Sequence, residues 1–146
     1  MTEARANAAD IDLSAVAAVL ERHGVAVAWL FGSRSEGTAR PDSDVDIAVL
    51  LPADASWLAG ERIASALRTV LTGVAVDVVD LRSASLELRA RVVQTGRLLF
   101  SADEALRVRF VSETRSRWFD FAPFQRRLTD AYLRRVADRG FDRGRS

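Results

Sequence analysis

The sequence predicts an α/β fold of the α+β kind: a small mixed sheet with helices packed on one face, followed by a C-terminal helical region. Helix-type and strand-type apolar spacings alternate along the first hundred residues, with glycine or proline between them. The last forty residues carry no strand pattern. At 146 residues, 49% of them hydrophobic, we expect one domain over 1–146, with a core at about 10–100 and a helical extension at about 103–139.

The chain opens with a helix pattern and a buried strand pattern. Apolar residues from Leu13 to Leu20 recur at helical spacing, and Gly24 supplies a stop signal. Residues 25–31 then form a nearly continuous apolar run that ends at Gly32. A short run of this kind, rich in β-branched and aromatic residues, is typical of a buried strand.

Two further strands are predicted to carry aspartates. Over residues 44–49 valine and isoleucine alternate with Asp44 and Asp46, the two-residue period of a strand with one packed and one open face. Residues 57–71 have the apolar stripe of a second helix. Alternation resumes over residues 74–79, where Asp77 is the polar interruption.

The remainder of the chain is predicted to be mainly helical. Residues 85–94 favour a helix that Gly96 closes, and residues 97–100 favour a short edge strand. A final helical region is expected from about residue 103 to 139, bent near Pro123 because proline cannot continue the helical hydrogen bonds.

Composition excludes several kinds of site. The chain has no cysteine, so disulfides, thiolate nucleophiles and Cys-based zinc sites are ruled out. His23 is the single histidine, and its place before Gly24 indicates a structural helix cap rather than a catalytic residue. The formal net charge of +1 gives no reason by itself to expect nucleic-acid binding. No apolar run approaches the ~20 residues that span a bilayer, so we expect a cytoplasmic protein without a membrane segment.

The aspartates and the glycine turn together favour a metal and phosphate site. Asp44 and Asp46 leave one strand face about 6.5 Å apart, and such a like-charged pair favours a hard divalent cation with oxygen ligands. With Asp77 they could hold two metal ions for phosphoryl or nucleotidyl transfer. Gly32 and Ser33 follow a strand directly, where backbone N–H groups and a hydroxyl can hold phosphate oxygens.

The order of these residues resembles the hallmark of the DNA polymerase beta superfamily of nucleotidyltransferases. That hallmark is a Gly-Ser pair, ten intervening residues and Asp-x-Asp, which fall here on Gly32, Ser33, Asp44 and Asp46. Within the superfamily the chain looks like the minimal nucleotidyltransferases, the MntA-like antitoxins of HEPN/MNT toxin–antitoxin pairs. The resemblance is strong over residues 24–50 and reasonable to residue 100, and it implies a nucleotidyltransferase palm.

The resemblance also implies roles for individual residues. Gly32, Ser33 and Arg34 would bind the nucleotide, with Ser33 on the triphosphate. Asp44 and Asp46 would ligate two Mg²⁺ ions, with Mn²⁺ as the alternative metal. Asp77 would ligate the catalytic metal and assist deprotonation of the acceptor. Other charged residues bear on these roles. Glu36 stands where many relatives carry a basic residue, and Arg34 and Arg40 are candidates to compensate it. Asp80 is a rival carboxylate that strand phase places on the opposite face from Asp77.

The implied reaction is transfer of AMP from ATP to a tyrosine of a partner HEPN-type RNase toxin, by which this chain would act as an antitoxin. Two alternatives remain at this stage: nucleotidyl transfer to a small molecule such as an aminoglycoside, and a noncatalytic antitoxin that neutralises by contact alone. Homo-oligomerisation is also left open.

The arginines and aromatic residues of the C-terminal region have three interpretations. The aromatic residues could cover the core while the arginines face solvent, or the region could form a protein interface. Direct nucleic-acid binding ranks third, because the region contains no recognisable RNA or DNA module. The residues concerned are Arg107, Arg109, Arg115, Arg117, Arg126 and Arg127, with Phe110, Trp118, Phe119, Phe121, Phe124 and Tyr132.

Overall fold

A computed structural model of the chain describes residues 11–32 and 44–143. Helices and strands follow one another in the predicted order, and each element begins and ends close to the predicted positions. The elements are α1 (Leu13–Arg22), β1 (Val27–Phe31), β2 (Val45–Leu50), α2 (Ala59–Val70), β3 (Val76–Asp80), α3 (Leu86–Thr95), β4 (Arg97–Ser101) and α4 (Glu104–Arg143).

The four strands form one mixed sheet in the order β3-β2-β1-β4. β1 pairs antiparallel with β2 on one side and with β4 on the other, whereas β2 and β3 are parallel. Parallel strands require a crossover connection, which α2 provides. β4 lies at the edge of the sheet, as the sequence predicted.

The first face of the sheet packs against α1 and α2. Val45, Ile47 and Val49 of β2 are fully buried there, because every second side chain of a strand points to the same face. Leu20 of α1 and Ile63 of α2 are among the buried residues that they meet. The apolar stripes predicted for both helices are therefore the stripes that cover the sheet.

The second face is covered by α3 and the beginning of α4. Ala48 and Leu50 of β2 and Trp29 of β1 are buried against these helices, and the rings of Trp29 and Phe110 lie 5.7 Å apart between centroids. The sequence predicted an open face for β2 on this side. The structure leaves only its Asp46 end partly accessible, because the two later helices pack over the rest of the strand.

Local caps fix the helix ends. The Asp12 side chain accepts a hydrogen bond from the Ala15 backbone N–H at the start of α1, at 3.1 Å. His23 ends the helix: its Nδ1 lies 2.9 Å from the Val19 carbonyl oxygen, and Gly24 follows with a positive φ of 72°. The structural role predicted for His23 is confirmed.

α4 is 40 residues long and runs as one helix through Pro123. Its first turns pack on the body through Leu106, Phe110 and Val111, but most of its later apolar side chains are exposed. The interpretation that the aromatic residues of this region cover the core is thus right for Phe110 and wrong for Phe119 and Phe124, which are 80% and 51% exposed. Across the described ranges, no helix has the length and apolar character needed to cross a membrane.

Candidate active site

Asp46 and Asp77 are direct neighbours on the two parallel strands. In the β2–β3 register Asp46 pairs with Asp77, so both side chains leave the same face of the sheet from strands about 4.8 Å apart. Asp44 lies two residues before Asp46, immediately ahead of β2, and is exposed. The pairing brings together the carboxylates that the sequence placed on separate segments.

The charge on Asp46 is disfavoured by its surroundings. Partial burial raises the pKa of the Asp46 carboxyl above its ordinary value, and the negative charges of Asp77 and Asp44 raise it further, while the positive charge of Arg91 opposes them. Because Asp77 pairs with Asp46 in the β2–β3 register, the two carboxylates leave the same face of the sheet. Asp77 therefore does not point away from the Asp-x-Asp pair.

Gly32 closes the other side of Asp46. The antiparallel register places Phe31 opposite Asp46, and Gly32 follows with a φ of 78°, a conformation that side-chain-bearing residues rarely adopt. A Cβ atom at this position would lie 2.5 Å from Oδ2 of Asp46. Glycine is thus required both by the backbone and by the close approach of the carboxylate. The other predicted residues of this turn, Ser33, Arg34, Glu36 and Arg40, lie outside the described residues, and their roles stay predictions.

Arg91 of α3 is a site residue that the sequence reasoning did not single out. α3 starts beside the end of β3, where Arg89 donates hydrogen bonds to the carbonyl oxygens of Leu81 and Arg82. The helix ends at Gly96, which packs against Trp29. This direction carries the exposed Arg91 toward the Asp46 end of the sheet, where its charge acts on Asp46. In an arginine-rich sequence only the docking of α3 distinguishes this arginine from the others.

Asp80 has a structural role at the end of β3. Burial works to raise the pKa of the Asp80 carboxyl, but hydrogen bonds from Arg82 outweigh it and hold the pKa below its ordinary value. Arg82 Nη2 lies 2.7 Å from Asp80 Oδ2, and Arg82 Nη1 lies 2.7 Å from the Ala55 carbonyl oxygen. The interpretation of Asp80 as a strand-end residue rather than the third carboxylate of the site is confirmed.

The donor set of the site fits a hard divalent cation. Three carboxylates supply only oxygen ligands, and the raised pKa of Asp46 marks a concentration of negative charge that a cation would relieve. Within residues 11–32 and 44–143, however, no three acidic or histidine side chains lie close enough to form a ready metal-binding cluster. The assignment of Asp44, Asp46 and Asp77 as metal ligands therefore stays a prediction.

A family model supports the resemblance seen in the sequence. The model described as polymerase beta, nucleotidyltransferase matches residues 14–105, which include β1, β2 and β3. Among curated proteins, the chain is 43% identical over 91 residues to the protein adenylyltransferase MntA of Shewanella oneidensis. That match covers 58% of this chain and 62% of MntA, so it spans less than two thirds of the relative's length.

Solved structures share the fold over most of the chain. A chain from the crystal structure of a toxin–antitoxin with AMP-PNP superposes with a TM-score of 0.73 at 30% identity, covering 84% of this chain and 99% of that chain. A chain from the structure of a tri-AMPylated Shewanella oneidensis HEPN toxin in complex with MNT antitoxin superposes with a TM-score of 0.59 at 29% identity. The match covers 83% of this chain and 95% of that chain. With the matched segment holding the paired aspartates and Gly32, this chain belongs to the polymerase beta nucleotidyltransferase family.

Proposed function

We propose that this protein is a metal-dependent adenylyltransferase that transfers AMP from ATP to a tyrosine of a HEPN-type RNase toxin and so acts as its antitoxin. The observation that carries the proposal is the pairing of Asp46 with Asp77, next to Asp44 and against Gly32. The relatives named protein adenylyltransferase MntA and MNT antitoxin support the choice of nucleotide and acceptor.

The proposed reaction is an in-line displacement at the α-phosphorus of ATP. The tyrosine oxygen forms a bond to this phosphorus, the bond from it to the oxygen bridging to the β-phosphate breaks, and pyrophosphate leaves. Asp77 takes the proton of the tyrosine hydroxyl, since it lies beside Asp46 on the edge strand β3 and its side chain is exposed. Bound Mg²⁺ would be held by Asp44, Asp46 and Asp77 and would neutralise charge on the phosphates.

The modification would silence the toxin by electrostatics and bulk. Each AMP group adds a negatively charged phosphodiester at the modified tyrosine. A negative group near an RNase site repels the RNA backbone and obstructs its approach. The antitoxin effect would then follow from the reaction itself, without a permanent block by the whole protein.

Intact-mass measurement tests the proposal. The purified chain is incubated with ATP, MgCl₂ and the product of the neighbouring gene, and we expect that partner to gain the mass of one or more AMP units. The variant Asp44→Asn, Asp46→Asn should form the complex but transfer no AMP and fail to neutralise the toxin. Glu61→Gln, which removes an exposed carboxylate of α2 on the other face of the sheet, is the matched control and should transfer normally.

Two results would count against adenylyl transfer. The first is a partner of unchanged mass under conditions in which ATP binding is measurable. The second is full neutralisation by the Asp44→Asn, Asp46→Asn variant, which would support the alternative of a noncatalytic antitoxin that acts by contact. Transfer to an aminoglycoside but not to the partner protein would instead support the small-molecule alternative.

A further inference from the structure

The exposed part of α4 carries an apolar stripe, which Gln125 and Arg135 interrupt. At 3.6 residues per turn, six apolar side chains fall within an arc of about 120° on one side of the helix and extend about 27 Å along it. We define the α4 stripe as Trp118, Phe121, Phe124, Leu128, Tyr132 and Val136.

Most of the α4 stripe is open to solvent. Phe124, Leu128 and Tyr132 are 51%, 56% and 65% exposed. The rings of Trp118, Phe121 and Phe124 lie in sequence with centroid separations of 6.2 Å at both steps. An apolar surface of this length on a single helix, uncovered by the described parts of the chain, is typical of an interface.

The α4 stripe continues the face by which the helix packs on its own domain. Phe110 and the buried Thr114 belong to the same arc, one to three turns earlier. The first part of this face covers Trp29 and its neighbours on the sheet. The second part extends beyond the sheet with the same orientation, so a partner seated on it would adjoin the domain rather than an isolated helix.

Charge argues against a second copy of this chain as the occupant. Residues 115–139 contain seven arginines against three aspartates, so the part of the helix that bears the stripe is strongly positive. Pairing two such helices would bring like charges together, whereas a partner with acidic side chains around an apolar patch would be attracted.

The residue types also argue against nucleic acid. Leu128 and Val136 offer no flat ring on which a base could stack. Asp120, Asp130 and Asp138 are spaced along the same segment and would repel a phosphate backbone. Aromatic and arginine side chains together with aliphatic ones are the composition of a protein interface.

The fold shared with a toxin–antitoxin structure points to a toxin as the partner of the α4 stripe. The match to the toxin–antitoxin structure covers 84% of this chain, about 123 residues, which is more than the 103 residues that precede α4, so the shared fold extends into this helix. We infer that the α4 stripe is the surface by which this chain binds its acceptor toxin, through an apolar patch on the toxin that is bordered by acidic side chains. This inference rests on the proposed function.

Binding measurements on stripe variants test the inference. The double variant Phe124→Glu, Leu128→Glu places two charges in the middle of the α4 stripe, and we expect its Kd for the toxin that the unmodified chain adenylylates or binds, tested first with the product of the neighbouring gene, to rise about 30-fold or more. The matched control is Phe119→Glu, which changes an equally exposed phenylalanine on the opposite side of the helix and should leave the Kd within about threefold. Far-ultraviolet circular dichroism and the Kd for ATP should be unchanged in both variants.

Three outcomes would overturn the inference. The stripe variant could bind the toxin as tightly as the unmodified chain, or the unmodified chain could fail to bind the toxin at all. The third is that the stripe substitutions abolish a homodimer or an RNA complex instead. Complex formation is measured without ATP, so it is independent of AMP transfer. A complex that depends on the stripe but yields no adduct refutes the proposed reaction alone, and an adduct formed equally well by the stripe variant refutes the stripe alone.

Discussion

At Asp46 the fold holds a carboxylate where its charge is costly. Burial and the charges of Asp77 and Asp44 raise its pKa, so the native state binds more protons than the unfolded state between the ordinary Asp pKa of about 3.9 and the raised value. The free energy of unfolding therefore falls as pH rises through that range. In the absence of a cation, the site is stabilised by protonation.

We expect Asp46→Asn to stabilise the metal-free protein at pH 7. Removing one of several like charges on neighbouring strands is worth up to about 1 kcal/mol, which corresponds to a rise in Tm of about 2–4 °C. The gain should shrink as pH falls through the raised pKa of Asp46, because the native carboxyl then becomes protonated and loses its charge. Thermal unfolding in EDTA at several pH values measures it. Glu61→Gln serves as the control, and a Tm for Asp46→Asn that is lower than that of the unmodified protein at pH 7 would contradict the expectation.

Arg91 is expected to act on the triphosphate. Its positive charge already reaches Asp46, so the phosphates of a nucleotide bound at that carboxylate would come within its range. Arg91→Gln should weaken ATP binding about tenfold, equivalent to about 1.4 kcal/mol, and leave AMP binding nearly unchanged, whereas Arg91→Lys should retain most of the ATP affinity. Calorimetric titration with each nucleotide provides the measurement.

Arg68→Gln is the matched control for Arg91, because Arg68 is an exposed arginine of α2 on the other side of the sheet. An equal loss of ATP and AMP affinity in Arg91→Gln would show that the residue supports the fold rather than the phosphates.

The residues of the site differ in how far the sequence could predict them. Asp44, Asp46 and Gly32 follow from spacing, because strand period and turn chemistry are local properties. The proximity of Asp77 to Asp46 depends on the pairing of β3 with β2. Local periodicity does not encode which strands pair. Arg91 was missed because only the packing of α3 distinguishes its position from those of the other arginines.

At the scale of the elements, Arg82 ties the end of β3 to the loop between β2 and α2. Its guanidinium donates to the Asp80 carboxylate and to the carbonyl oxygens of Ala55 and Ser56, with N···O distances of 2.7–3.0 Å for the carbonyl bonds. One side chain thus fixes the connection through which the parallel strands are joined.

Arg82→Ala should lower Tm by about 4–8 °C, because it leaves the Asp80 carboxylate and the carbonyl groups of the loop between β2 and α2 without this donor. The folded pKa of Asp80 is depressed, so its contribution is present above the ordinary Asp pKa and is lost as pH falls through the depressed value. Denaturant unfolding at pH 7 and pH 3 should show a smaller difference from the unmodified protein at pH 3. Arg62→Ala, an exposed arginine of α2, is the control, and a Tm unchanged by Arg82→Ala would contradict this role.

The order and type of the elements could be predicted because each carries its own period and stop signal. Coverage of the second sheet face could not, since the alternation in β2 is the same whether Ala48 and Leu50 meet water or a helix. α3 and the first turns of α4 bury them, and leave Asp46 as the partly accessible residue of β2. The accessibility of the site is therefore a property of packing between elements.

Across the whole molecule, the mixed sheet was predicted but its strand order was not. The order β3-β2-β1-β4 puts both aspartate-bearing strands side by side and makes β3 an edge. The exposed half of α4 likewise could not be separated in the sequence from a core-covering helix, because Phe110 and Phe124 belong to the same helical face and differ only in whether the sheet reaches them.

The parallel pairing of β2 with β3 also determines when during synthesis the protein becomes competent. Asp44 and Asp46 leave the ribosome some thirty residues before Asp77, and their partner strand can join them only after α2 has been made and has crossed back over the sheet. A nascent chain that ends within α2 has two of the three carboxylates and lacks β3, the strand that places Asp77 beside Asp46. The proposed transfer activity would thus begin only after the strand that follows α2 has emerged and docked.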